Sequence, residues 1–379
     1  MMTVITRQFT KDILSSTLFA LIALVALFAF FDLVGQLDSI GNGRTLADAF
    51  LLTGLSLPGR IYQVMPLAAL LSSIYIMSRW AASSEFTVLR VAGLSPLRLC
   101  MSLSVSAVIL VGTTYVFGEF LAPPAEKYAV EVKTLSKSQN LTARGYSTGV
   151  WLRDVAVVDN QTLNRYINVS YIRADNNRET GAWRVFEFSD KGFLLRMISS
   201  KTASYSTDEG WTLHNVEIST YPVVPRGEEA DVKGLEVKRT TEKSLFFSST
   251  LGPDMLSVFT SRPDDMSLRD LSRMITHLQA NSQDSEKQEI AFWTKLFYPL
   301  STLVMMTLSM PFAYMNARSG GMAIKMFAGI MIGITFYALS NIFSYLGSTT
   351  MLTPMWAALA PTLGMLVAGA IAMLFVERR

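Results

Sequence analysis

Residues 326–376 read MFAGIMIGITFYALSNIFSYLGSTTMLTPMWAALAPTLGMLVAGAIAMLFV, fifty-one residues without one Asp, Glu, Lys or Arg. A helix needs about 20 apolar residues to cross a hydrocarbon core roughly 30 Å thick. The run is too long for one crossing. It is read as two spans, residues 326–346 and 353–376, folded into a hairpin that turns near Gly347 to Pro354. Working outward, four more segments qualify: residues 13–37, residues 49–77 (interrupted by Pro58 and Arg60), residues 99–118 and residues 296–315. The expected fold class is a polytopic α-helical membrane protein with six transmembrane helices.

The composition agrees. Half of the 379 residues are hydrophobic and only 17% are charged, against about a quarter in soluble domains. Mean hydropathy is +0.32. A net charge of +3 gives no argument for nucleic acid. Cys100 is the single cysteine, so neither an internal disulfide nor a cysteine metal site is expected. His214 and His277 lie far apart in sequence, and no zinc centre or other metal site is expected from them. Arg7 and Lys11 ahead of an apolar run resemble a signal peptide. However, residues 13–31 carry no charge over a full span length and no small-residue cleavage site follows, so a retained helix is expected.

Orientation follows from the basic residues of the short loops. One side carries nine: Arg7, Lys11, Arg79, Arg90, Arg98, Arg318, Lys325, Arg378 and Arg379. The other carries two, Arg44 and Arg60. Both termini are expected in the cytoplasm and residues 121–295 on the far side. In that long segment, residues 149–251 show period-two alternation, as in Tyr166-Ile167-Asn168-Val169, Trp183-Arg184-Val185-Phe186 and Gly210-Trp211-Thr212-Leu213-His214-Asn215-Val216. These read as strands of a sandwich or open barrel, whose exposed edges can accept a strand from another chain. Residues 267–278 then switch to helical spacing (Leu268, Leu271, Met274, Ile275, Leu278), with Ser267 as N-cap. They read as part of an amphipathic connector, residues 267–295.

Several classes are disfavoured. There is no G-x-x-x-x-G-K-[ST] loop, no H-E-x-x-H motif and no nucleophile elbow, so the chain is not expected to be an enzyme. The spans lack paired ionisable residues at mid-depth of the kind that coupled carriers use. Asp32 is the nearest candidate, and it is read as interfacial at the outer end of the first span. If this chain moves something, the energy comes from a partner. The alternatives are a membrane-anchored scaffold or chaperone without transport, and a secondary carrier.

Between the second and third spans, residues 83–93 read as a short cytoplasmic helix. Ser83 or Ser84 caps it, Glu85 sits in its first turn, Gly93 ends it and Pro96 prevents its return. Two readings stand side by side: docking into a groove on another protein, or a tight turn with Phe86 and Leu89 among lipid headgroups.

The run from Ser84 to Gly93 (SEFTVLRVAG) resembles the corresponding loop of the LptF/LptG permeases of lipopolysaccharide export. Leu57-Pro58 and Tyr62 to Leu71 are similar to that family's second span. Gly149-Val150-Trp151-Leu152-Arg153, Gly210-Trp211-Thr212-Leu213, Phe292-Trp293-Thr294-Lys295-Leu296 and Met305 to Phe312 continue the resemblance in order along nearly the whole chain. Trp211 and the Trp293-x-Lys295 motif lean towards the LptG branch. The resemblance implies transmembrane helices 1–3 in residues 1–120, a periplasmic β-jellyroll in residues 121–266, the connector in 267–295 and helices 4–6 in 296–379. It implies a permease subunit in the bacterial inner membrane, paired with an LptF-like permease, a dimer of an LptB-like ATPase that binds the ATP and magnesium, a single-span LptC-like protein and a periplasmic LptA-like bridge. Lipopolysaccharide would enter from the outer leaflet. Glu85, Phe86, Leu89 and Arg90 would couple to the ATPase, and no cofactor is implied for this chain. An apolar wall for acyl chains is expected from Leu24, Leu27, Phe28 and Phe31 of the first span and Phe327, Ile334, Phe336 and Tyr337 of the fifth. Relatives often carry lysines at the outer end of the first span, where this chain has Asp32, Asp38 and Ser39. Arg44 and Arg60 are its nearest cations for lipid phosphates. Otherwise a metal ion bridging those acids, or the LptF-like partner, supplies the charge.

Overall fold

The computed structural model describes residues 4–38, 40, 44–83, 96–140, 150–158, 161–170, 179–206, 210–222, 236–249, 251–253, 256, 262–314, 321–349 and 352–377. The chain divides into two compact units. One comprises residues 1–132, 263–275 and 284–379, the other residues 133–262 and 276–283.

The first unit is helical. Helices α1 (Val4–Leu37) and α2 (Leu46–Ala82) are followed by α3 (Pro96–Val116), a π-helical turn (Phe117–Leu121) and α4 (Ala122–Asn140), which run on without a break. The C-terminal part holds α5 (Leu268–Ala280), α6 (Glu286–Leu308), the short α7 (Pro311–Tyr314), α8 (Met322–Gly347) and α9 (Pro354–Glu377). Thr45 starts α2 with a capping box: its side chain accepts from the Asp48 N–H while the Asp48 carboxylate accepts from the Thr45 N–H. Among the described residues, five helices are long and apolar enough to cross a membrane: residues 6–37, 46–82, 103–130, 322–347 and 354–375. The uncharged run 326–376 falls on the last two, α8 ending at Gly347 and α9 starting at Pro354. The expected fourth span lies in α6, which is more polar and sits inside the bundle. Its Ser301 and Thr302 are fully buried, and Lys295 donates inward to the Met266 carbonyl.

Helix α2 stands at the centre and continues through Pro58 and Pro66. One of its faces packs Met65, Ala69, Ile76, Met77 and Trp80 against Phe9 and Ile13 of α1, Leu103, Ala107 and Leu110 of α3, and Met306. Another packs Leu70 and Ile74 against Val304, Met305, Leu308, Phe312, Phe336 and Met365. Two glycines one helical turn apart let α8 close on it. A methyl group on Gly329 would lie 2.6 Å from Ile74 Cδ1, and one on Gly333 would collide with Leu67. Small residues at this spacing allow close approach where no hydrophobic effect drives helices together. Hydroxyl pairs add to the packing: Thr17 with Ser72 at 2.6 Å and Thr114 with Thr302 at 3.4 Å.

At one end of this unit, α5 starts against the π-helical turn. Both oxygens of Glu119 accept from the Leu268 N–H at 3.0 and 3.1 Å, and Lys127 Nζ lies 2.7 Å from Asp270. Burial pushes the Asp270 carboxyl up, but hydrogen bonds from Lys127 and Ser267 outweigh it and hold the group below the ordinary carboxylate range.

The second unit is an antiparallel sheet of half-barrel type. Its strands are β1 (Val150–Val158), β2 (Gln161–Val169), β3 (Glu179–Thr180), β4 (Trp183–Phe188), β5 (Leu194–Ser200), β6 (Thr202–Ser206), β7 (Gly210–Thr220) and β8 (Lys238–Phe247). The order is β1-β2-β4-β5-β7-β6-β3, with β8 added on β7. One face is closed by the sheet's own side chains, with Trp183 against Trp211 (4.8 Å) and Phe247 (5.9 Å) among Leu152, Ile167, Val185 and Leu213. The simple alternation read from the sequence changes phase inside β7. Trp211 and Leu213 point inward, and then Val216 does, because Asn215 adopts φ +53° between them. Asparagine tolerates this left-handed conformation better than most residues. Arg165, Glu187 and Arg196 stand in register on three neighbouring strands. The buried Glu187 accepts from Arg165 Nε at 2.9 Å and from Arg196 Nε at 2.6 Å.

The edge of the sheet at β1 is covered in part. Asn281 accepts from the Val155 N–H at 3.1 Å, and His277 is hydrogen-bonded to the Arg153 backbone. These contacts block strand addition at positions 153–155. Burial pushes the His277 imidazole below its ordinary value, against the pull of Asp154 and of that hydrogen bond. The neutral ring is thus the form the fold prefers. Its contribution is complete above the unfolded value of about 6.5 and is lost as the pH falls through the lower folded value. Amide exchange at Val155 is expected to be slow at pH 7.5 and to accelerate, relative to His277→Gln, as the pH drops below about 6.5. Replacing Glu187 with Ala leaves two arginines facing each other and is expected to destabilise the sheet by about 3–5 kcal/mol, read from denaturant unfolding of the sheet signals.

Candidate functional site

Helices α1 and α8 both leave apolar side chains uncovered. On α1, Leu27, Phe28 and Phe31 are exposed and Leu24 is half-buried. On α8, Phe327, Ile334 and Tyr337 are exposed. Phe336 departs from the expected wall: it is buried between Ile74, Val304 and Met365 and anchors α8 to the core. A cavity of about 590 Å³ opens beside α2, lined by Ser16, Phe19, Ala20 and Leu24 of α1, Tyr75 and Ile76 of α2, and Met326 of α8. Asp12 and Arg79, paired at 2.8 Å, line it as well.

Towards the C-terminal end of α1 the same helices form a polar knot. Arg60 of α2 holds Asp32 with both arms of its guanidinium, Nη2 to Oδ1 at 2.6 Å and Nε to Oδ2 at 2.7 Å. A planar fork matched to a carboxylate is the strongest geometry this pair can adopt. Ser56 adds a third hydrogen bond to Asp32 at 3.2 Å, and Arg60 Nη1 donates to Gln63 at 3.0 Å. The Phe28 ring lies 5.8 Å from the guanidinium, and Tyr337 of α8 is within its electrostatic reach. Arg60, a cation expected to meet lipid phosphate, is thus ion-paired with Asp32 while its side chain remains one-third exposed (33%). Arg44 also faces inward along the chain, with Nη1 donating to Gln36 at 3.4 Å. Glu85, Phe86, Leu89 and Arg90, expected to couple to an ATPase, lie outside the described residues.

Other members of the site were not visible in the sequence. Pro66 has no N–H, which opens the α2 ladder one turn below it, and Tyr298 of α6 donates its hydroxyl to the neighbouring Gln63 carbonyl at 2.6 Å. Tyr62 stacks obliquely on Tyr298 at 4.8 Å and fills the space beside Gly118, where a methyl group would sit 2.5 Å from its ring. The proline inside an apolar run was the one sequence signal that pointed here.

Fold and site together define a class: a helical membrane protein with an antiparallel sheet inserted between its helices. The comparisons narrow the class. The profile of the lipopolysaccharide export system permease LptF/LptG family matches residues 7–375. The chain is 28% identical over 367 residues to the lipopolysaccharide export system permease protein LptG of Haemophilus influenzae, covering 96% of each chain. It is 27% identical over 362 residues to that of Escherichia coli K12, covering 95% of this chain and 94% of the relative. This protein belongs to the LptF/LptG family, whose described role is permeation rather than catalysis.

The knot can be tested apart from transport. In a double-mutant cycle of Asp32→Asn and Arg60→Gln, thermal unfolding in detergent is expected to give a coupling of about 1–3 kcal/mol, with the double variant more stable than the sum of the single losses.

Proposed function

We propose that this chain is one membrane half of an ATP-driven machine that takes lipopolysaccharide from the outer leaflet of the inner membrane and passes it to a trans-periplasmic bridge. The observation that carries the reading is the uncovered apolar surface. In a chain of the lipopolysaccharide export permease family, α1 and α8 keep Leu27, Phe28, Phe31, Phe327, Ile334 and Tyr337 uncovered on either side of α2. Acyl chains gain about 0.8 kcal/mol per buried CH₂, so such a surface holds a many-chained lipid without any specific polar contact. The charge asymmetry of the short loops sets both termini and residues 83–93 in the cytoplasm and the sheet in the periplasm, with six spans in all.

The energy comes from an LptB-like ATPase dimer that binds ATP and magnesium, docked on Glu85, Phe86, Leu89 and Arg90. This choice between the two readings of that loop rests on the family. An LptF-like permease completes the cavity, an LptC-like single-span protein joins it, and an LptA-like protein continues the bridge. Because Asp32 engages Arg60, the phosphates of the lipid are met chiefly by the LptF-like partner. The sheet passes the lipid onward.

Co-expression with the candidate partners tests this directly. The chain is expected to copurify with an ATPase and a second, similar permease, and Glu85→Ala is expected to reduce lipid-stimulated ATP hydrolysis and export at least tenfold. Absence of an ATPase from the purified complex, or unchanged export in Glu85→Ala, contradicts the coupling.

A further inference from the structure

The sheet has a second face, and part of it is built like a binding site. On the side opposite Leu152, Ile167 and Val185, strands β1, β2 and β4 present Trp151, Arg153, Asn164, Tyr166, Phe186 and Phe188. These residues line a shallow cavity of about 650 Å³, within the range of roughly 300–1,000 Å³ found for small-molecule sites. They do not serve the core. Trp151 is 57% exposed and Tyr166 is 41% exposed. They are nonetheless ordered against one another. Trp151 lies nearly parallel to Phe186 (6.0 Å, 21°), Tyr166 stands edge-on to Phe188 (5.6 Å, 88°), and Arg153 lies over Tyr166 at 5.9 Å.

The polar groups alternate between donor and acceptor. Arg153 Nη2 donates to Asn164 Oδ1 at 2.9 Å, while its buried Nε has no hydrogen-bond partner among the described residues. The turn Ser189–Gly192 forms one wall, closed by the Ser189 and Phe193 backbones at 2.9 Å, and brings Asp190 to the rim. Flat aromatic faces with a mixed rim suit one chemistry best. The C–H face of a pyranose ring carries partial positive charge and settles on the negative face of an aromatic ring. Its hydroxyls need both donors and acceptors, which Arg153, Asn164 and Asp190 supply. A polyphosphate would meet the Asp190 carboxylate and a guanidinium already shared with Asn164. A wholly apolar ligand would leave the Arg153 Nε unsatisfied.

We propose that this aromatic shelf on the outer face of the sheet binds a sugar ring, with Trp151 as the stacking platform and Arg153 and Asn164 as its hydroxyl contacts. The choice of sugar rests on the export reading: the glycan part of the transported lipid rides outside the sheet.

The test uses the full chain in lipid nanodiscs and, as probe, the core oligosaccharide freed from lipopolysaccharide by mild acid so that no acyl chain remains. Titration calorimetry and saturation-transfer NMR are expected to show saturable binding. Trp151→Ala and Tyr166→Ala should each weaken it at least tenfold, while Trp151→Phe should retain most of it. Unfolding temperatures should stay near wild type, because both side chains point away from the core. Absence of saturable binding by the wild-type chain, or equal affinity in Trp151→Ala, overturns the shelf. So does loss of a copurifying subunit from Trp151→Ala without change in sugar affinity, which would make the surface a protein interface. None of these results touches the export reading, which stands or falls on lipid extraction by the assembled wild-type complex.

Discussion

The fork between Arg60 and Asp32 is the interaction on which the helical unit turns. A charge on a helix that faces lipid is expensive unless it is paired. Here α2 carries a guanidinium in the middle of its length, and α1 carries the carboxylate that answers it at 2.6 and 2.7 Å. The pair fixes the rotation of α1 about its axis. With Asp32 turned to α2, the face bearing Phe30, Phe31 and Val34 is left uncovered. Thr17 and Ser72 repeat the constraint two-thirds of the way down, and Asp12 with Arg79 repeats it at the far end. Three polar contacts along one seam thus hold a helix whose other side is free for lipid.

The same logic accounts for α2 itself. Two prolines within one long helix would each break it in water, yet the helix is continuous. Pro66 removes the N–H that would bond the Tyr62 carbonyl, and at the adjacent residue the Tyr298 hydroxyl donates to the Gln63 carbonyl. The continuous α2 in turn meets α8 closely through Gly329 and Gly333. The exposed apolar rows of α1 and α8 are what remains once the polar groups of the central helix are paired.

Much of this was legible in the sequence, for physical reasons that differ by element. The uncharged run at residues 326–376 announced a hairpin because length and charge alone determine what crosses a bilayer. The strands announced themselves by alternation. Their phase change at Asn215 was hidden, because one left-handed residue moves every side chain after it and leaves composition untouched. Phe336 looked like its neighbours Phe327 and Tyr337, and only the rotation of α8 on its glycines sends it inward. Asp32 and Arg60 are 28 positions apart and their match depends on helix packing, so their ion pair could not be read from the sequence. The ladder of Arg165, Glu187 and Arg196 was hidden in the same way, since register aligns the three charges and alternation reports only the face.

The central claim is that lipid occupies the uncovered apolar surface of α1 and α8. A photo-reactive residue placed at Phe31 or Tyr337, and for contrast at Phe375 on the exposed side of α9, tests it in living cells. The account predicts strong crosslinks to lipopolysaccharide at the first two positions and a weak, background-level signal at the third. Equal labelling at all three, or labelling at position 375 alone, would contradict it.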